Sequence, residues 1–213
     1  MLPPNDLFTA ENQAAILNFY RTYEPIQDML ASWTLPPQHV KTLFYGDSIT
    51  AGFRFQEFFP GRSLLNRGIP GDNLDGLYAR LDRDLLPYAP DQVVLHGGIN
   101  GIGEPNERML EKFAAIGKLI TQAGCRLYLC SVLPLRHGDK WDRFQYQAKI
   151  VELNTALKAM AEAEYAGFVD YHAAVRDVAG ELAEAYAKPD GTHITFAGYR
   201  AMAQVLTAKV RLD

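Results

Sequence analysis

The stretch LFYGDSITAG, residues 43–52, decides how the rest of the chain is read. An apolar run stops at Gly46, and a serine follows two residues later. Such a run, bounded by turn residues, predicts a buried strand, TLFYG at 42–46. SLLNRG at 63–68, QVVLHGG at 92–98 and RLYLCSVLP at 126–134 have the same form, with a weaker fifth, GFVDY, at 167–171. Between them, apolar residues recur every three or four positions, as in Phe113, Ile116 and Ile120, and predict helices near 73–86, 106–123, 142–165 and 195–210. Strands alternating with helices imply an α/β fold with a doubly wound parallel sheet. Ligands of such sheets gather beyond the carboxyl ends of the strands. Ser48 sits just past the first of those ends, although a serine there is more often a turn residue than a nucleophile.

The 213 residues are 48% hydrophobic and 22% charged, which fits one globular domain with a sizeable core. The net charge of −4 and scattered Lys and Arg leave no basic footprint for nucleic acid or an anionic membrane. No apolar run approaches the length of a membrane span. The N-terminus has no apolar segment behind a basic start, which argues against a secretory signal. Cys125 and Cys130 lie five apart in one strand, point to opposite faces and so do not pair. Reduced thiols and a cytoplasmic setting follow as the expectation. Residues 1–38 carry a helical pattern around ENQAAILNFYRTYEPIQDML and then LPPQ. They read as a helical extension packed on a domain spanning 39–213, with a lid or a homo-oligomer contact as further roles.

The predicted strand ends carry the chemistry. Ser48 follows the first, and NRGIPGDN, with Gly68 and Gly71, follows the second. HGGINGIG follows the third, with Asn100 in its middle. Near the C-terminus, PDGTHITFAGY puts Asp190 three residues before His193, ahead of a helix that Thr195 would cap. Taken singly, Gly71 makes a turn, Asn100 satisfies a loop and DGTH starts a helix. Together they supply a hydroxyl, an imidazole, a carboxylate and oxyanion donors at one edge of one sheet, which serine hydrolysis requires. Of the four serines, Ser32 lies in the extension, Ser63 opens a strand and Ser131 lies inside one. None is in a G-x-S-x-G elbow, so the α/β-hydrolase solution is disfavoured. Among the histidines, His193 alone has a carboxylate three residues before it at a helix start. His96 and His137 read as packing or substrate-side residues, and His39 and His172 have no supporting context.

The blocks YGDSITAG, NRGIPGDN, HGGIN and DGTHITFAGY, in this order over about residues 42–205, resemble those of the SGNH hydrolases, the GDSL-type esterases and lipases. The wording is most similar to bacterial acylhydrolases related to platelet-activating-factor acetylhydrolase. The resemblance implies a flavodoxin-like three-layer α/β/α fold with a five-stranded parallel sheet. It implies Ser48 as nucleophile, His193 as general base and then acid, and Asp190 as the residue orienting the imidazole. It further implies an oxyanion hole of the Ser48 N–H, the Gly71 N–H and the Asn100 side-chain amide. The implied two-step acyl transfer calls for no metal or organic cofactor. One departure is that Gly101 follows Asn100 where an Asp commonly braces that loop.

A non-catalytic ester- or sugar-binding module on the same fold is the competing reading from another class. Nucleotide binding lacks G-x-G-x-x-G or P-loop spacing, and a zinc hydrolase lacks its ligand clusters. The loop PLRHGDKWDRFQ at 134–145 is expected to shape the substrate pocket, through Arg136, His137 and Trp141 together with Lys140, or else to be a solvated loop. Its polar character favours a short acyl group, such as acetyl, on a polar alcohol such as a sugar. A lysophospholipid is the alternative small-molecule ester.

Overall fold

Strand β1 (Thr42–Gly46) is buried along its whole length and lies between two parallel neighbours. The computed structural model describes residues 2–138 and 143–212. β2 (Leu64–Gly68), β3 (Gln92–His96), β4 (Arg126–Cys130) and β5 (Gly167–Val169) complete one parallel sheet in the order β2-β1-β3-β4-β5. Two neighbours of the first strand point their ends the same way, because Gly46 pairs with both Gly68 and His96. The loops bearing Ser48, Gly71 and Asn100 therefore leave one edge side by side. This is the five-stranded α/β/α arrangement expected from the sequence.

The helices are α1 (Ala10–Thr22), α2 (Glu24–Ala31), α3 (Ser48–Gly52), α4 (Phe55–Phe58), α5 (Leu74–Ala79), α6 (Leu81–Asp84), α7 (Asn106–Gln122), α8 (Gln147–Glu164), α9 (Tyr171–Val175) and α10 (Phe196–Lys209). Alternation along the strands sends side chains to two cores. Leu43, Tyr45, Val93, Leu95, Leu127 and Leu129 meet Leu77 of α5, Ile116 of α7 and Leu153 of α8. Phe44, Val94, Cys130 and Val169 on the other face meet Ile49 and Phe55, with Met202 and Leu206 of α10. Cys125 and Cys130 fall in opposite cores, and both are free thiols. No helix among the described residues is long and apolar enough to cross a membrane.

Differences from the predicted elements have local causes. The stretch expected as one helix at 73–86 is broken after α5. Arg80 leaves helical geometry there and sends its guanidinium inward to Gly46 O and Arg67 O. β4 stops at Cys130 rather than 134, because Asn154 of α8 takes over the ladder: its side chain bonds both the N–H and the C=O of Val132, each at 2.8 Å. The extension divides into α1 and α2 at Tyr23, with Pro25 in the first turn of α2. Ile16 and Tyr20 of α1 and Ile26 of α2 bury against Ile69 in the loop after β2. Phe8 stacks on Tyr78 at 3.9 Å, fixing the start of the chain to α5.

Candidate active site

β1 ends at Gly46, and Asp47 caps α3 by accepting a 3.0 Å hydrogen bond from the Ile49 N–H. Ser48 is the first residue of α3, so its own N–H has no intrahelical acceptor. Its Oγ lies 2.9 Å from His193 Nε2, although 145 residues separate the two. His193 Nδ1 lies 2.7 Å from Asp190 Oδ2. An ionised carboxylate only accepts, so Nδ1 carries the ring proton and Nε2 is left to accept from the Ser48 hydroxyl.

The Asp190 turn is fixed independently of the ring. Asp190 Oδ1 accepts from the N–H groups of Thr192 at 2.9 Å and His193 at 2.8 Å. Burial would raise this carboxyl, but the two N–H groups and the imidazole outweigh it and hold its pKa below the ordinary carboxylate value. Gly191, at φ +68°, lets the chain reverse here: a Cβ would lie 2.1 Å from Arg136 O. The Arg136 N–H donates to Gly191 O at 2.9 Å. The loop after β4 thus supports the turn through its backbone.

Gly71 has φ +78°, and among the described residues no acceptor takes its N–H. The ring of Phe19, from α1, covers it so closely that a Cβ would lie 2.8 Å from Cε1. Asn100 is held at both ends of its amide. Nδ2 donates to Asp72 O at 2.8 Å, and Oδ1 accepts from Arg143 Nη1 at 3.1 Å. These groups surround a cavity of about 390 Å³ lined by Phe19, Tyr23, Ile99, Arg143 and the Ser48–His193 pair, among others. A more open groove of about 800 Å³ runs from Phe19, Gly71 and Asn100 towards Asn73, Glu104 and Arg108.

Beneath Ser48 lies a buried pair. Burial raises the Asp47 carboxyl to about 7 and lowers the His96 imidazole to about 4. His96 Nδ1 lies 3.8 Å from Asp47 Oδ1, and a neutral pair is the form this setting favours.

A profile of the GDSL-like lipase/acylhydrolase family matches residues 44–201. The chain belongs to that family. A GDSL-like lipase from Bacteroides thetaiotaomicron shares 25% identity with this acylhydrolase at a TM-score of 0.74, over 89% of this chain and 97% of that one. A Bacteroides fragilis protein described as an acylhydrolase gives 26% and 0.76, over 89% and 95%. A Streptococcus pneumoniae protein described as a platelet activating factor gives 28% and 0.74, over 94% and 98%. Comparison with curated proteins finds no match.

The structure thus brings Ser48, Asp190, His193, Gly71 and Asn100 to one edge of the sheet. It does not bring the Arg136 side chain there. That guanidinium bonds Leu182 O at 2.6 Å and Asp177 Oδ2 at 2.7 Å, so its charge is satisfied away from the cavity. His137 is exposed, lies tilted against the Phe144 ring with centroids 4.0 Å apart, and does not line the cavity. Trp141 and Lys140 lie outside the described residues. Sequence reasoning missed Arg143, two residues beyond Trp141 in the same loop, and also Phe19 and Tyr23. The 19/23 spacing in the extension, one helical turn, was the available signal for the aromatic pair.

Proposed function

We propose that this acylhydrolase is a serine esterase that forms an acyl-enzyme on Ser48. The observation that carries this reading is the continuous chain Ser48 Oγ–His193 Nε2 at 2.9 Å and His193 Nδ1–Asp190 Oδ2 at 2.7 Å. His193 takes the Ser48 proton as Oγ attacks the ester carbonyl, and Asp190 stabilises the imidazolium that results. The N–H groups of Ser48 and Gly71 and the Asn100 amide receive the oxyanion. The alcohol leaves with the proton from His193. Water then attacks the acyl-enzyme by the same route and restores Ser48.

The substrate proposed is a short acyl ester, such as acetyl, of a polar alcohol such as a sugar. A cavity of about 390 Å³ is modest for an acyl chain and its leaving group together, and the adjoining groove offers Asn73, Glu104 and Arg108 to hydroxyl groups. Two buried free thiols support a cytoplasmic setting. The test is hydrolysis of p-nitrophenyl esters from two to twelve carbons, with Ser48→Ala alongside. Rates that fall with chain length and vanish in the variant are expected. A preference for long chains would move the substrate to lysophospholipids, and no activity above Ser48→Ala on any ester would favour a binding module.

A further inference from the structure

We infer that Arg143 is a positioning residue that orients and polarises the Asn100 amide as an oxyanion donor, an inference that rests on the serine-esterase reading above. An asparagine amide has two N–H donors and one oxygen, and nothing intrinsic to it prevents a flip that would aim oxygen at the oxyanion. Such a flip would replace attraction with repulsion at the point where charge develops. Two partners of opposite kind exclude it. The Asp72 carbonyl only accepts, and it takes one Nδ2 proton at 2.8 Å. The Arg143 guanidinium only donates, and it binds Oδ1 at 3.1 Å. Nitrogen and oxygen therefore have one allowed assignment, and one N–H remains for the substrate oxyanion.

Arg143 is anchored a second time by donating from Nη1 to the Ile99 carbonyl at 3.3 Å, one residue before Asn100. Gly101, which follows Asn100, contributes no side chain to hold the loop. A cation on the amide oxygen also draws electron density from nitrogen, which strengthens the remaining N–H as a donor. The Asp72 side of the clamp is itself fixed, because Asp72 accepts from buried Arg80 at 2.7 Å and from the Tyr20 hydroxyl of α1. Arg143 lines the catalytic cavity, so a direct contact with substrate is the rival role that a test must separate.

A double-mutant cycle on p-nitrophenyl acetate separates them. With this small neutral ester, Arg143→Ala is expected to lower kcat about tenfold with KM changed less than twofold. That is a fraction of the roughly 10²–10³ that a whole oxyanion donor contributes. Arg143→Lys, which keeps a cation but not the planar fork, should recover part of the loss. In an Asn100→Ala background the same Arg143→Ala change should cost less than twofold, because its target is gone. Equal losses in both backgrounds would overturn the inference in favour of direct substrate contact. So would a wild-type kcat for Arg143→Ala. Hydrolysis that survives in Ser48→Ala would instead defeat the esterase reading, and it is read from a different variant.

Discussion

Asp47→Asn should change how stability depends on pH while leaving the fold's local geometry in place. Burial raises the Asp47 carboxyl from 3.8 to about 7; the Ile49 N–H opposes the shift and the charge of Asp72 adds to it. The folded protein therefore holds this proton more tightly than the unfolded chain does. The stability contributed by the group is fully present below pH 3.8 and is lost as pH rises through about 7. At about 1.4 kcal/mol per pH unit, the whole span is worth roughly 4 kcal/mol, and the part between pH 5 and pH 8 is roughly 2–3 kcal/mol. Asparagine caps a helix as well as aspartate and still offers an oxygen to the Ile49 N–H, but it does not titrate. Urea unfolding of both proteins at pH 5 and pH 8 measures the effect. Relative to Asp47→Asn, the wild type should lose roughly 2–3 kcal/mol on going from pH 5 to pH 8. Parallel pH dependence in the two proteins would refute the reasoning, and a wild type gaining relative stability at pH 8 would reverse its sign.

Other consequences follow from the same groups. Arg80 is fully buried and bonded to Asp72, Asp84 and two carbonyls, so Arg80→Ala leaves buried carboxylates uncompensated and should cost about 3–5 kcal/mol in urea unfolding. Gly71→Ala places a Cβ in a left-handed residue and against Phe19, which should cost about 1–2 kcal/mol for the backbone alone. Adding Phe19→Ala should recover the steric part only, as thermal melts of Phe19→Ala, Gly71→Ala and the double variant would record. Asp190→Asn should keep the turn but lose the fixed tautomer of His193, lowering kcat by about 10³–10⁴ on p-nitrophenyl acetate.

The sequence revealed most where physical periodicity and chain order suffice. Apolar runs bounded by turn residues marked the five strands, the first three of them ending in glycine, and their alternation with helices set the parallel sheet. Those two facts put Ser48, Gly71 and Asn100 at neighbouring strand ends. Asp190 and His193 were legible as a local pair, three residues apart at a helix start. The brace on Asn100 was harder to read because it joins residues 43 apart through an irregular loop with no periodicity. Arg136 and Arg143 lie in the same polar segment. Composition does not distinguish the arginine held by Asp177 from the one turned to the cavity. The role of α1 was hidden for a similar reason. Its apolar stripe predicts burial, but not that Phe19 comes to rest on Gly71 or that Tyr20 reaches Asp72.

The most direct test of the central claim is covalent trapping with a fluorophosphonate, followed by intact-protein and peptide mass spectrometry. The Ser48–His193–Asp190 arrangement predicts one adduct per chain, located on the peptide that contains Ser48. The adduct should be absent from Ser48→Ala and strongly slowed in His193→Ala. Labelling of Ser48→Ala at the wild-type rate, or no labelling of folded wild-type protein, would contradict it.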